Sequence, residues 1–157
     1  MKLLKVSIKV DEDVKTKYNL HNVFERQFDF YVIAYLNSPD GWSQYGYYFE
    51  IVENNSDILI RLSSAKTIKE KCGFHENLSC AELAGKHIFL NEDRWFHGAP
   101  ASQLSLDDYR QYMVSHEMGH ALGKGHTKCP CKGCPAPIML QQTKGIQQCI
   151  PNTNVKK

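Results

Sequence analysis

The chain has 157 residues, 42% of them apolar and 23% charged, with a formal net charge of +2. This is enough sequence for one domain, 1–157, with a substantial core and an ordinary globular balance of residue types. The charge is too small to argue for nucleic acid as a partner, and no apolar run approaches the roughly 20 residues that span a membrane.

Apolar and basic residues alternate over Met1–Val10, which predicts a first strand. Lys5 and Lys9 interrupt any apolar stretch there, so the segment does not read as a signal peptide. Val23, Phe24, Phe28, Tyr31, Ala34 and Tyr35 recur at helical spacing. They predict a helix over Tyr18–Leu36, closed by the turn-forming Asn37-Ser38-Pro39-Asp40-Gly41. Tyr45–Val52 is aromatic and β-branched, and Ile58, Ile60 and Leu62 alternate within Asp57–Ser63, so both read as strands. A short helical turn over Ala65–Lys71 and a last strand over Lys86–Asn91 follow. Glu92–Gln103 reads as a loop.

Leu104–Leu122 contains no proline, and its first glycine is Gly119. Ser105 is placed to cap a helix there, with Asp107 and Asp108 in the first turn, where the helix dipole favours acids. That helix carries His116-Glu117-Met118-Gly119-His120, continuing as Ala121-Leu122-Gly123-Lys124-Gly125-His126. Two histidines four residues apart stand on one helix face, one turn apart, close enough to grip one Zn²⁺. Glu117, beside the first ligand, is the general-base type of such sites. Gly123 allows a left-handed exit from the helix, after which His126 supplies a third ligand. Three protein ligands leave a position for water, which marks a catalytic rather than a structural zinc. The remaining chain is mostly irregular, with a short helix expected near 141–149.

Thirteen residues after His126 comes Met139, within Pro135-Ala136-Pro137-Ile138-Met139-Leu140. With the histidine motif, this resembles the metzincin class of zinc endopeptidases, in which a Met-containing turn underlies the metal. Further motifs extend the likeness over roughly residues 20–152. They include Leu90-Asn91, Arg94-Trp95, His97-Gly98, Tyr109-Arg110-Gln111-Tyr112, Cys129-Pro130, Gln141-Gln142-Thr143-Lys144-Gly145 and Cys149. In these the chain is similar to a bacterial, mainly actinobacterial, secreted metzincin-like family of unknown function. The resemblance implies an α+β metzincin-like zincin: a twisted mixed sheet with a backing helix, an active-site helix, and a small irregular C-terminal subdomain with the Met-turn. In that scheme 1–122 is the upper part and 123–157 the lower. It also implies a zinc metalloendopeptidase with His116, His120 and His126 on the metal and Glu117 as base. An extended peptide or protein substrate would pair with an edge strand, expected to be the strand ending at Asn91. The enzyme is expected to act as a monomer.

Six cysteines bear on compartment and on metal. The local pairings are Cys72 with Cys80, Cys129 with Cys149, and Cys131 with Cys134; the first two follow the resemblance, while Cys131 and Cys134 lie outside its pattern. The rival is a second, structural zinc held by Cys129, Cys131, Cys134 and Cys149. The disulfide reading makes this a mature secreted or extracytoplasmic domain, with an intracellular protein as the alternative. Two other functions are compatible with the chain: a catalytically silent zinc- and peptide-binding module, and an effector protease with a single target. A thiol redox site at Cys131 and Cys134, with the histidine motif incidental, is a third. His97 is read as a surface residue with substrate binding as its alternative, His21, His75 and His87 as non-functional, and Trp42 and Trp95 as anchors.

Overall fold

The computed structural model describes residues 1–157 and has an α+β architecture. Strand β1 (Lys2–Val10) leads into helices α1 (Glu12–Tyr18) and α2 (Asn22–Leu36), followed by β2 (Tyr47–Ile51) and β3 (Ile58–Ser63). Helix α3 (Ala65–Cys72), strands β4 (Cys80–Ala81) and β5 (His87–Asn91), and helices α4 (Glu92–His97) and α5 (Leu106–Ala121) complete it. The five strands form one sheet in the order β2-β1-β3-β5-β4. All neighbours are parallel except β4, which runs antiparallel to β5, with Cys80 opposite Phe89 and Ala81 opposite Ile88.

The alternation read from the sequence decides which strand faces are buried. Val6 and Val10 of β1, Ile58, Ile60 and Leu62 of β3, and Ile88 and Leu90 of β5 enter one core. Helices α2 and α5 close that core through Phe28, Val32, Leu36, Tyr109, Met113 and Val114. Helix α2 is thus the backing helix of the sheet.

The structure corrects several element boundaries. The helix expected over Tyr18–Leu36 begins only at Asn22, and a separate helix, α1, precedes it. Between them Asn19 sits in the left-handed region, φ 51°, and its N–H caps the α1 carbonyls. Asparagine is among the few residues that tolerate that conformation, and one residue suffices to end the helix. Glu92–Gln103 is not a loop. Asn91 caps α4, its Oδ1 accepting from Arg94 N–H at 3.2 Å, and a 3₁₀ turn follows over Pro100–Ser102. The helix expected near 141–149 is reduced to a single 3₁₀ turn, Gln142–Lys144, ended by Gly145. The strand expected to form an edge, β5, lies inside the sheet, and the edges are β2 and β4. At two residues, β4 is shorter than any alternation pattern can reveal.

All six cysteines are paired, Cys72 with Cys80, Cys129 with Cys149 and Cys131 with Cys134. The four cysteines of the suggested second zinc cage are thus paired as two disulfides. Three disulfides fit an oxidising compartment. No helix is long and apolar enough to cross a membrane.

Candidate metal centre

Helix α5 begins as its sequence directs, with Ser105 Oγ accepting from Asp108 N–H at 3.2 Å. From Met113 to Gly119 every residue is buried. A helix enclosed nearly all round is held by the core on several sides, and the side chains it carries inherit that rigidity. Trp42, 2% exposed, donates its Nε1–H to Ser115 O at 2.9 Å and fixes the helix from behind.

Past Ala121 the chain reverses. Gly123, at φ 95°, donates to His120 O at 2.8 Å, and Lys124 N–H reaches back to Gly119 O at 2.9 Å. The reversal carries His126 to His120, with the two Nε2 atoms 3.0 Å apart. One ligand atom from each of His116, His120 and His126 lies within 4.8 Å of the others.

Backbone carbonyls set the tautomers. His116 Nδ1 is 2.7 Å from Ile138 O, and His120 Nδ1 is 2.8 Å from Lys124 O. A carbonyl only accepts, so both Nδ1 atoms carry the proton and both Nε2 lone pairs are free on the inner side. These carbonyls are the partners that orient a ligating histidine. Burial pushes the His116 pKa down to about 3, with the neighbouring His120 and His126 adding to the shift. Burial is also the main cause that lowers His120 and His126. All three rings are thus held in the neutral form that binds a metal.

Glu117 is 6% exposed, and burial pushes its pKa up to about 8. Its Oε2 is buried with no hydrogen-bond partner. A carboxyl oxygen left buried and unpartnered in the cleft that the three imidazoles also line is costly without a cation and is stabilised by one. The residues present therefore fit a metal ion.

Met139, 5% exposed, packs against the same helix. Its Sδ occupies the space where a Cβ on Gly119 would stand, and Trp42 Cζ2 would be 2.9 Å from that Cβ. Gly119 is thus a close-approach position between helix and turn. Thr127 N–H donates to Met139 O at 3.0 Å, tying the segment after His126 to the turn. Tyr112 links the same parts: its hydroxyl accepts from Gln142 N–H at 2.9 Å and donates to Leu140 O at 3.1 Å.

The site opens into a cleft of about 390 Å³. Leu78–Ala81 form one wall, His116, Glu117 and His120 the floor, and Thr143 and Lys144 the other wall. Glu82 N–H donates to His87 O at 3.1 Å. By strand alternation Ala81 N–H and C=O then point away from β5, on the cleft side.

The family model described as "Protein of unknown function (DUF3152)" matches residues 2–154. The chain belongs to that family. No curated protein matches this DUF3152 member. Among solved structures it is similar to one titled "Crystal structure of myroilysin", at 19% identity and a TM-score of 0.47, over 85% of this chain and 48% of that one. The DUF3152 chain thus spans about half the length of that relative.

The structure brings four of the residues singled out as site residues, His116, Glu117, His120 and His126, into one cleft and packs Met139 against Gly119 of the same helix. His97 stands apart, exposed and paired with Asp93 at 3.0 Å. His87 pairs with Glu82, and neither it nor His21 or His75 lines the cleft. Trp42 and Trp95 are core anchors, each 2% exposed. Sequence reasoning missed Gly119, Tyr112, Gln142, the carbonyls of Lys124 and Ile138, and the β4 edge. Only Tyr112 carried a usable signal, standing one helical turn before His116.

Proposed function

We propose that this protein is a zinc-dependent endopeptidase acting on extended peptide segments outside the cytoplasm. The observation that carries the reading is the convergence of His116, His120 and His126, two of them fixed with Nε2 inward, in an open cleft that Glu117, its Oε2 unpartnered, also lines. His116, His120 and His126 would hold the ion. Bound there, zinc supplies the Lewis acidity that acidifies water and polarises a carbonyl.

The chain's own residues do the rest. Ala81 offers its free N–H and C=O to a peptide lying along the cleft, so the substrate adds a strand to the sheet. Glu117 accepts the proton released by water and returns it to the departing amine. Its burial keeps competing solvent from the carboxylate, and the rigid helix holds it at a fixed distance from the histidines. Met139 and Tyr112 act at one remove, by fixing the helix and the turn against each other.

Metal analysis and chelator-reversible cleavage of a complex peptide mixture test this. One zinc per chain, with new peptide termini that vanish on chelation and return with zinc, is the expected result. A chain that binds zinc and makes no cuts would be a binding module instead.

A further inference from the structure

Cys131 and Cys134 lie outside the cleft that holds the three histidines. We propose that their disulfide is a thiol–disulfide exchange site, accepting small thiols or dithiols, that controls the order of the segment joining His126 to the Met139 turn.

Three observations carry this. The first is access. Cys131, Lys132 and Gly133 are exposed and Cys134 is half-buried, whereas Cys149 of the neighbouring bridge is buried. An incoming thiolate reaches the Cys131 sulfur from solvent, and exchange depends on that access.

The second is the small covalent constraint. Cys131 and Cys134 are 3 residues apart in sequence, against 8 for Cys72–Cys80 and 20 for Cys129–Cys149. A short closed loop restricts the unfolded chain least, so this bridge adds least to global stability and its opening is tolerated best.

The third is position. The bridge lies between His126 and Ile138, whose carbonyl orients His116. Around it the backbone is docked by Gly133 N–H to Gln148 O, Ile150 N–H to Cys134 O and Ala136 N–H to Ile150 O, each 2.8 Å. Opening the bridge frees the turn at the start of this short ladder.

The exchange balances simply. A thiolate attacks Cys131 Sγ, the S–S bond breaks, and Cys134 leaves as a thiolate, giving a mixed disulfide. A second thiol attacks that mixed disulfide. Two electrons and two protons pass to the protein pair, and the two incoming thiols leave as one disulfide.

The test uses the full oxidised chain, treated with graded dithiothreitol, trapped with iodoacetamide and mapped by mass spectrometry. Cys131 and Cys134 should be labelled at a reductant concentration at least tenfold below that needed for the other four. Amide hydrogen exchange of the selectively reduced protein should then be at least tenfold faster over residues 127–136, with α5 unchanged. The double substitution Cys131→Ser and Cys134→Ser should show the same faster exchange with no reductant present. Labelling in step with or after the other bridges would overturn the proposal, as would selective reduction with unchanged exchange in that segment. A third readout, zinc release to a chelator, should quicken at least fivefold on reduction; this consequence alone rests on the proposed zinc site. An oxidised protein that binds no zinc would refute that site and leave labelling and exchange to decide the proposal.

Discussion

The three-histidine group is assembled from two regions that are held in different ways. His116, Glu117 and His120 belong to α5, enclosed by the core and braced by Trp42. His126 belongs to a segment with almost no regular structure, fixed by single backbone hydrogen bonds and two disulfides until Ile138 and Met139 re-enter the core. The first region is rigid because the whole domain is folded. The second is rigid only while its local ties hold. One ligand of three is therefore on a part that can loosen without unfolding the sheet.

Substitutions can break or sharpen this contrast. The largest effect is expected at the junction. Gly119→Ala drives a methyl group into Met139 and Trp42, both packed in the core, and should cost about 3 kcal/mol of stability in urea unfolding. A cost near zero would mean the turn is not seated against the helix. Next come the two kinds of ligand, compared without metal. His116→Ala empties a buried position and leaves Ile138 O without its donor, a loss of about 2 kcal/mol. His126→Ala, at an exposed position, should leave metal-free stability within about 0.5 kcal/mol of the parent. Both should lose tight zinc binding in chelator competition. Equal stability losses would erase the distinction between the regions.

Tyr112→Phe removes the acceptor for Gln142 N–H and should cost about 1 kcal/mol, with the hydrogen exchange of 140–144 rising more than that of α5. The smallest effect lies far from the site. Burial, with Glu25 adding to it, pushes the Asp29 pKa up to about 6 from its ordinary 3.8. The folded chain then holds that proton more tightly than the unfolded chain, so Asp29 costs stability as pH rises from about 4 to 6 and above. Asp29→Asn should raise the melting temperature at pH 8, by less than about 1 kcal/mol equivalent once solvent screening is allowed for, and leave it unchanged at pH 3.5. It should leave zinc affinity untouched.

The same division explains what could be read from the sequence. The histidine spacing, the Ser105 cap and the strand alternations are local: helix or strand geometry converts them directly into a shared face. Those parts appear in the structure within a residue or two. The helix break at Asn19, the α4 cap at Asn91 and the two-residue β4 each depend on one or two residues, too few to make a period. The partners that orient His116 and His120 are carbonyls of Ile138 and Lys124, and a carbonyl leaves no mark in the residue sequence. Gly119 was visible as a glycine, but its reason is a methionine twenty residues on and a tryptophan before β2, which only the fold brings together. The sheet edge was misplaced for the same cause: without β4, β5 is the last strand to be seen.

The central claim, that this chain hydrolyses peptides at its histidine site, is tested most directly by comparing the parent with Glu117→Gln, both loaded with zinc, on one complex peptide mixture read for new termini. Equal zinc content, cuts made by the parent, and their loss in the variant are the expected result. Equal cutting by both, or zinc binding by both with cutting by neither, would contradict the claim.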